Sequence, residues 1–118
     1  MKLGIICDGI SRDLSYTLDV MDEFELEYAE LQFVGDTEVG DHSAQEIKEI
    51  DLLLRDRGKP VSCLSRHIFA GMTTDNLAGD YLHTKHMDAL KRVIAMAHVV
   101  DSPLVRIMTP KKEQILWG

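Results

Sequence analysis

The sequence predicts an α/β protein in which strands and helices alternate and the strands are parallel. Two observations predict it: short apolar runs alternate with longer amphipathic segments along the chain, and no hairpin signal separates the runs. Such alternation favours right-handed helical crossovers, in either a doubly wound sheet or a barrel. With 118 residues, 45% of them hydrophobic, residues 1–118 are expected to form a single α/β domain with its own core.

The first unit is a strand over residues 2–7, KLGIIC, and a helix that follows it. Asp8 and Gly9 form a turn signal that ends the strand. Ser11 or Asp13 is placed to cap the first turn of the helix. The apolar stripe of this helix consists of Leu14, Leu18, Val20 and Met21.

The second unit begins with a largely buried strand in YAELQFVG, which runs from Tyr28 to Val34 before a polar, glycine-bearing connection. Ser43 and Glu46 have the spacing of a capping box, so a helix is expected to start there. Its apolar stripe consists of Ile47, Ile50, Leu53 and Leu54. Gly58 stands where a C-terminal cap is expected.

The third strand, PVSCLS, starts at Pro60, a position where a strand tolerates proline. A long helix is expected from about Asp80 to His98. Its apolar side consists of Leu82, Met87, Leu90, Val93, Ile94 and Ala97. The last strand, LVRIM, follows Pro103, so the predicted order is β-α-β-α-β-α-β.

The charge balance bears on partners and location. A formal net charge of -7 argues against nucleic acid or anionic lipid as a partner, because phosphate binding needs clustered basic residues. No apolar run approaches the roughly 18 residues of a membrane span. The opening apolar run breaks at Asp8, before it could serve as a signal-peptide core. A cytoplasmic protein is therefore expected.

The sequence lacks the common motifs for cysteine-based sites and for phosphate-binding loops. Cys7 and Cys63 lack C-x-x-C spacing, so both are interpreted as small buried core residues. No G-x-G-x-x-G or P-loop pattern follows the first strand, which argues against a phosphate cradle there. A flavodoxin- or receiver-like domain stays open as an alternative. Asp8 fits the first acidic position of the receiver version, but the third strand supplies no aspartate.

Function is expected at the carboxyl ends of the strands, where ligands gather in both barrels and doubly wound sheets. Glu30 and Gln32 are two residues apart on one strand and therefore share a face. Arg106 is the expected partner for Glu30, either as a structural ion pair or in orienting a ligand. Asp8 is interpreted either as a ligand-binding residue or as a cap of the first helix.

The phrases KLGIICDGI, EYAELQFVG and SAQEIKEIDLLLRDRGKPVSCLS, in this order, resemble the opening of the xylose isomerase-like barrels, the sugar isomerase and sugar phosphate epimerase superfamily. That family carries a glutamate in its second strand, here within Ala29-Glu30-Leu31. The following helix ends in a glycine-bearing phrase similar to residues 54–61. Residues 81–108 are similar to the family's third helix and fourth strand.

The resemblance implies the N-terminal half of a (β/α)8 TIM barrel, with about four βα units. It implies a sugar isomerase or epimerase of carbohydrate metabolism that uses Mn, Mg or Zn in the complete barrel. The family's metal ligands lie on later strands, so no cofactor or metal site is expected in this chain alone, and no catalytic residue is assigned. The substrate would be a sugar or sugar phosphate. The residues expected to bind it are Asp8, Glu30, Gln32, Ser65, His67, Arg106 and Thr109.

Two other functions remain as alternatives. One is an AP-endonuclease-like metal hydrolase, in which a histidine such as His67 at the rim of the third strand binds metal. The other is a non-catalytic half-barrel that serves as a binding or scaffold domain. His83 and His86 are expected only to share a polar helix face. Because four parallel strands cannot close a barrel, a homo-oligomer or the remainder of a barrel is the expected partner.

Overall fold

The computed structural model of the protein describes residues 2–70 and 81–108. In chain order the elements are strand β1 (Gly4–Ile6), helix α1 (Leu14–Glu23), strands β2 (Tyr28–Leu31), β3 (Phe33–Val34) and β4 (Thr37–Glu38), helix α2 (Ala44–Asp56), strand β5 (Val61–Ser65), helix α3 (Tyr81–Val100) and strand β6 (Val105–Arg106). A short 3-10 turn, Cys7–Gly9, follows β1. The predicted α/β class is confirmed.

Four parallel strands form the main sheet, in the order β1-β2-β5-β6. Spatial order therefore follows chain order, with a helix in each crossover. A doubly wound sheet reverses its strand order at a switch point. Over the described residues the sheet has no such reversal, so its winding is that of a single-direction (β/α) sheet.

The core lies on one face of this sheet. Ala29, Leu31 and Leu64 point into it from the strands and are almost fully buried. The helices contribute Leu14, Leu18, Met21, Ile50, Leu54, Ala89, Val93, Met96, Ala97 and Val100 to the same cluster. All three helices thus pack on one side of the sheet.

The opposite face of the sheet carries no helix among the described residues. Ile6 and Glu30 are register partners on this face, and Ile6 is 41% exposed. A register irregularity places Val61 opposite Ala29 but Cys63 opposite Glu30. Ser62 is the extra residue of this bulge, and it lines the open face together with Ile6 and Glu30. A groove of about 340 Å³ runs along it.

The capping residues predicted from the sequence form capping hydrogen bonds at the starts of α1 and α2. The Asp13 carboxylate accepts a hydrogen bond from the Tyr16 amide, so Asp13 rather than Ser11 caps α1. Ser43 and Glu46 form the predicted capping box at the start of α2. Gly58, with φ of +66°, ends that helix as expected.

A hairpin follows β2, and the prediction that the chain contains none was wrong. Strands β3 and β4 pair antiparallel across a two-residue loop, Gly35-Asp36. Gly35 has φ of +63°, which suits glycine at the first central position of a tight hairpin turn. The strand predicted to run to Val34 is therefore two strands: β2 ends at Leu31, and β3 leads into the turn at Gly35-Asp36.

The last two elements differ in detail from the prediction. Helix α3 continues to Val100, whereas its expected start near Asp80 lies outside the described residues. Ile94 was expected to face the core, but it is 42% exposed, and Met96 is buried instead. Strand β6 is shorter than the predicted LVRIM. No helix within the described ranges is long and apolar enough to cross a membrane.

Candidate functional site

The candidate site lies at the edge of the sheet where the parallel strands end. β1 runs into the 3-10 turn that holds Asp8, β2 is followed by Gln32, and β5 ends at Ser65, two residues before His67. Parallel strands bring these ends to the same edge. Thr109, which was expected to join them, lies outside the described residues.

Glu30 and Ser65 form the first pair of the site. The Ser65 hydroxyl donates a hydrogen bond of 2.8 Å to the Glu30 carboxylate. Ser65 is only 4% exposed, whereas Glu30 is half-buried on the open face. The hydrogen bond compensates part of the cost of holding a carboxylate away from water. Glu30 keeps further acceptor capacity for a ligand.

The ion pair expected between Glu30 and Arg106 is not formed among the described residues. Register explains the choice of Ser65 instead. Arg106 lies on β6, where it is the register partner of Ser65 on β5. Arg106 is therefore one strand further from Glu30 than Ser65 is. The Arg106 side chain is exposed on the same face of the sheet, and no ion pair within the described ranges involves it.

Gln32 and His67 form the second pair, at the rim. The side-chain nitrogen of Gln32 lies 3.0 Å from Nδ1 of His67 and 3.2 Å from Nε2. The Glu38 carboxylate lies 3.7 Å from Nδ1 on the hairpin side. The His67 side chain is 59% exposed. An imidazole held between an amide and a carboxylate, yet open to solvent, can donate to or accept from a ligand hydroxyl.

Arg66 anchors this rim, and the sequence interpretation missed it. Its guanidinium lies 2.8 Å from the Asp41 carboxylate and 3.5 Å from that of Glu38, and it donates to the Val39 carbonyl at 2.9 Å. Arg92 on α3 reaches Asp41 as well, at 3.0 Å. Hairpin, strand exit and helix are therefore tied together. The Gly35-Asp36 turn is the sequence signal that could have predicted this network. It forms the hairpin that brings Glu38 close to Arg66 and His67.

Asp41 is the shared acceptor of this network. Partial burial raises the pKa of the Asp41 carboxyl, but hydrogen bonds from Arg66 and Arg92 outweigh that effect and hold the pKa below its ordinary value. The carboxylate thus stays charged at neutral pH and keeps both guanidinium groups in place.

Asp8 does not cap the first helix, since Asp13 does so. Asp8 lies in the 3-10 turn directly after β1, and its Oδ1 atom is buried without a hydrogen-bond partner among the described residues. An unsatisfied buried carboxylate oxygen is costly. Asp8 as a whole is half-buried and lies at the carboxyl end of β1, at the same edge of the sheet as the candidate site.

The two cysteines near the site, Cys7 and Cys63, are free and buried, as predicted. Burial, with Asp8 and Glu30 nearby, raises the pKa of the Cys7 thiol to about 12. Burial also raises the pKa of Cys63, whose sulfur lies 3.9 Å from the Ser65 hydroxyl. Both are therefore thiols rather than thiolates at neutral pH, which argues against a cysteine nucleophile.

The remaining histidines near the rim are engaged with the loop after β5. The Phe69 amide donates a hydrogen bond of 3.0 Å to Nδ1 of His86, and the Phe69 ring stacks on His83 at 6.2 Å. They therefore anchor this loop rather than only sharing a polar helix face. Within the described residues no group of three His, Cys, Asp or Glu side chains could hold a metal ion. The residues described do not by themselves fit a divalent-metal centre.

The edge thus presents oxygen and nitrogen groups suited to binding hydroxyls. Glu30 and Asp8 supply acceptors, while Gln32 and His67 can donate and accept. A groove of about 460 Å³ lies at the opposite edge, beside Arg55 and Asp101. Its charged side chains pair with one another or with a neighbour: Arg55 binds Asp51 and Asp101, and Lys59 binds Asp22. Comparison with protein-family models matched no family, and comparison with curated proteins also gave no match.

Proposed function

We propose that this chain forms the N-terminal half of a (β/α)8 barrel of the sugar isomerase and epimerase type. Two features of the fold support the proposal. The strands follow chain order without reversal, and all three helices pack on one face. A barrel requires this arrangement, because its strands surround an interior and its helices lie outside. The open face would then be the inner wall.

The observation that carries the functional proposal is the meeting of two polar pairs at the carboxyl edge of this sheet. Glu30 with Ser65 lies on the inner wall, and Gln32 with His67 lies at the rim. In a barrel this edge is where substrates bind. The alternating donors and acceptors match the hydroxyl groups of a sugar or sugar phosphate.

In this proposal the chain binds and orients the substrate. Ser65 fixes the Glu30 carboxylate, which accepts a hydrogen bond from a sugar hydroxyl, and Glu38 and Gln32 hold the His67 ring for a second one. No step of the proposal is assigned to a metal, because the described residues do not fit a divalent-metal centre. No proton transfer is assigned to a residue of this chain.

The endonuclease alternative has less support. Its chemistry calls for several metal-binding side chains at the strand exits and a basic face for nucleic acid. The net charge is -7, which argues against such a basic face. Recognition of a small polar molecule agrees better with this charge.

The test is an NMR titration of the isotopically labelled chain with a panel of aldoses, ketoses and their phosphates. We expect at least one member to shift the side-chain amide signal of Gln32 and the ring signals of His67. The variant Gln32→Ala should weaken that binding at least tenfold. Gln45→Ala removes an exposed glutamine on α2 whose side chain bonds its neighbour Glu49, far from the site, and it should leave sugar binding unchanged.

Two results would contradict the proposal. One is that no sugar or sugar phosphate shifts these signals at tens of millimolar. The other is that binding survives in Gln32→Ala as well as it does in Gln45→Ala. Either result would favour the non-catalytic scaffold over the isomerase.

A further inference from the structure

The sheet has two free edges among the described residues. β1 pairs only with β2, and β6 pairs only with β5. Each edge therefore presents unpaired backbone groups, which in natural proteins are usually covered or protected by charge. Both strands run in the same direction, so the free side of β6 can pair in parallel with the free side of another β1.

Both edges also carry exposed apolar side chains. On the open face, Ile6 of β1 is 41% exposed and Leu104 beside β6 is 63% exposed. Leu3 and Ile107, at the same two edges, are 52% and 42% exposed. Each edge thus brings apolar surface to the boundary, where a protein interface would bury it.

Exposed apolar side chains are concentrated at the ends of the molecule. The first helix carries Tyr16 at 56% exposure and is followed by Phe24 at 67%, and the last carries Ile94 at 42% and Val99 at 46%. The central helix, α2, contributes only Leu52 to the exposed large hydrophobic residues of the described ranges. This distribution is expected if the ends, rather than the middle, meet a partner.

We infer that a second copy of this chain covers the open face, with β6 of each copy pairing in parallel with β1 of the other. A two-fold axis along the common strand direction then generates eight parallel strands, the number that closes a (β/α) barrel. The inference rests on the half-barrel part of the proposed function. The partner is this chain itself because the free edge of β6 can pair with the free edge of β1, and one molecule carries both edges.

Charge on the open face supports this partner. Glu30 on β2 and Arg106 on β6 share the face but form no ion pair within one copy. In a closed barrel, side chains from alternate strands lie together in the interior. The alternate strands β2, β6 and their two symmetry mates would bring two Glu30 and two Arg106 side chains together, with charges alternating around the barrel. Each arginine would then lie between two carboxylates.

The assembly has a consequence for the candidate site. Both copies contribute their carboxyl edges to one barrel mouth, so two Gln32–His67 pairs would surround a single opening. In one copy alone, the described residues line only one side of this opening. The site is therefore incomplete without the partner copy.

Sedimentation equilibrium over about 1 to 100 µM tests the inference. We expect a species of twice the 13.3 kDa chain mass. Ile6→Lys should raise the dissociation constant at least tenfold, while the matched control Leu52→Lys, which replaces an exposed leucine on α2, should leave it unchanged. Circular dichroism checks that both variants fold. A monomer across the whole range, or equal dissociation by both variants, would overturn the inference.

A charge exchange provides a second test that does not depend on the apolar edge. Arg106→Glu would place four carboxylates in the interior and should dissociate the dimer. Adding Glu30→Arg restores two charges of each sign and should recover association, and failure to recover it would contradict the proposed arrangement. These readouts are independent of sugar binding. A monomer that still binds a sugar through Gln32 would overturn the assembly and leave the proposed function standing.

Discussion

The half-buried Glu30 side chain shows that geometry decides which group pairs with a charge. The sequence offered Arg106 as the complementary charge, but the strand order places Ser65 on the adjacent strand, and its hydroxyl reaches the carboxylate at 2.8 Å. The glutamate and its face could be predicted from alternation along β2. The partner could not, because it depends on the β5 register and its irregularity at Val61–Cys63.

Removal of the Ser65 hydroxyl should therefore be costly. Ser65→Ala leaves the half-buried Glu30 carboxylate without its donor, and we expect the free energy of unfolding to fall by about 1 to 2 kcal/mol. Urea denaturation measures it. The control is Ser62→Ala, because the Ser62 hydroxyl makes only a long hydrogen bond of 3.4 Å to the Ala29 carbonyl. Equal losses in the two variants would contradict the importance assigned to Ser65.

Among the elements, helices could be predicted more fully than the short strands. The capping box at Ser43 and the glycine at Gly58 are local signals, and both mark the ends of α2. The hairpin was missed because its strands are two residues each and the run through Val34 looked like one continuous strand. The residues that it carries, Glu38 and Asp41, were missed with it. Their roles depend on Arg66, which lies far away in sequence.

Gly40 determines how closely the hairpin approaches α3. Its φ is +96°, and a β-carbon added there would lie 2.7 Å from Cγ2 of Val93 and 3.1 Å from the Val93 backbone nitrogen. We expect Gly40→Ala to lower the free energy of unfolding by roughly 2 kcal/mol or more, from backbone strain and overpacking. Gly9→Ala, at a glycine with no atom near the added carbon, should be close to neutral. Similar thermal midpoints for both variants would contradict this packing.

The network around Asp41 should make the hairpin sensitive to acid. The folded pKa of Asp41 lies below its ordinary value, so the carboxylate contributes stability above its unfolded pKa of about 3.9, and this is lost as the pH falls through the folded pKa. Asp41→Asn should therefore be less stable than the parent at pH 7, and the difference should narrow below about pH 4. The Asp41 side chain is 38% exposed, so solvent screening reduces the effect. Denaturation curves at several pH values measure it, and a difference that widens in acid would contradict the pairing.

At the scale of the whole molecule, the described part of the chain forms a sheet with one face covered by helices and the other face open. Alternation of apolar runs predicted the parallel strands, and the sheet order β1-β2-β5-β6 agrees with it. What covers the open face could not be predicted from periodicity, because periodicity describes each element separately. The open face carries Glu30, Ser65 and Arg106, and with them both the proposed site and the proposed contact with a second copy.

The reactivity of a thiol on the open face tests this account most directly. Cys7 and Cys63 are buried and their pKa values are raised, so a cysteine introduced as Ser62→Cys should dominate the reaction with a thiol reagent at pH 8. We expect fast modification at nanomolar protein, where copies separate, and slower modification as concentration rises and the face closes. Slow modification at every concentration, in a chain that light scattering shows to be monomeric, would mean that the face is covered from within and would contradict the half-barrel.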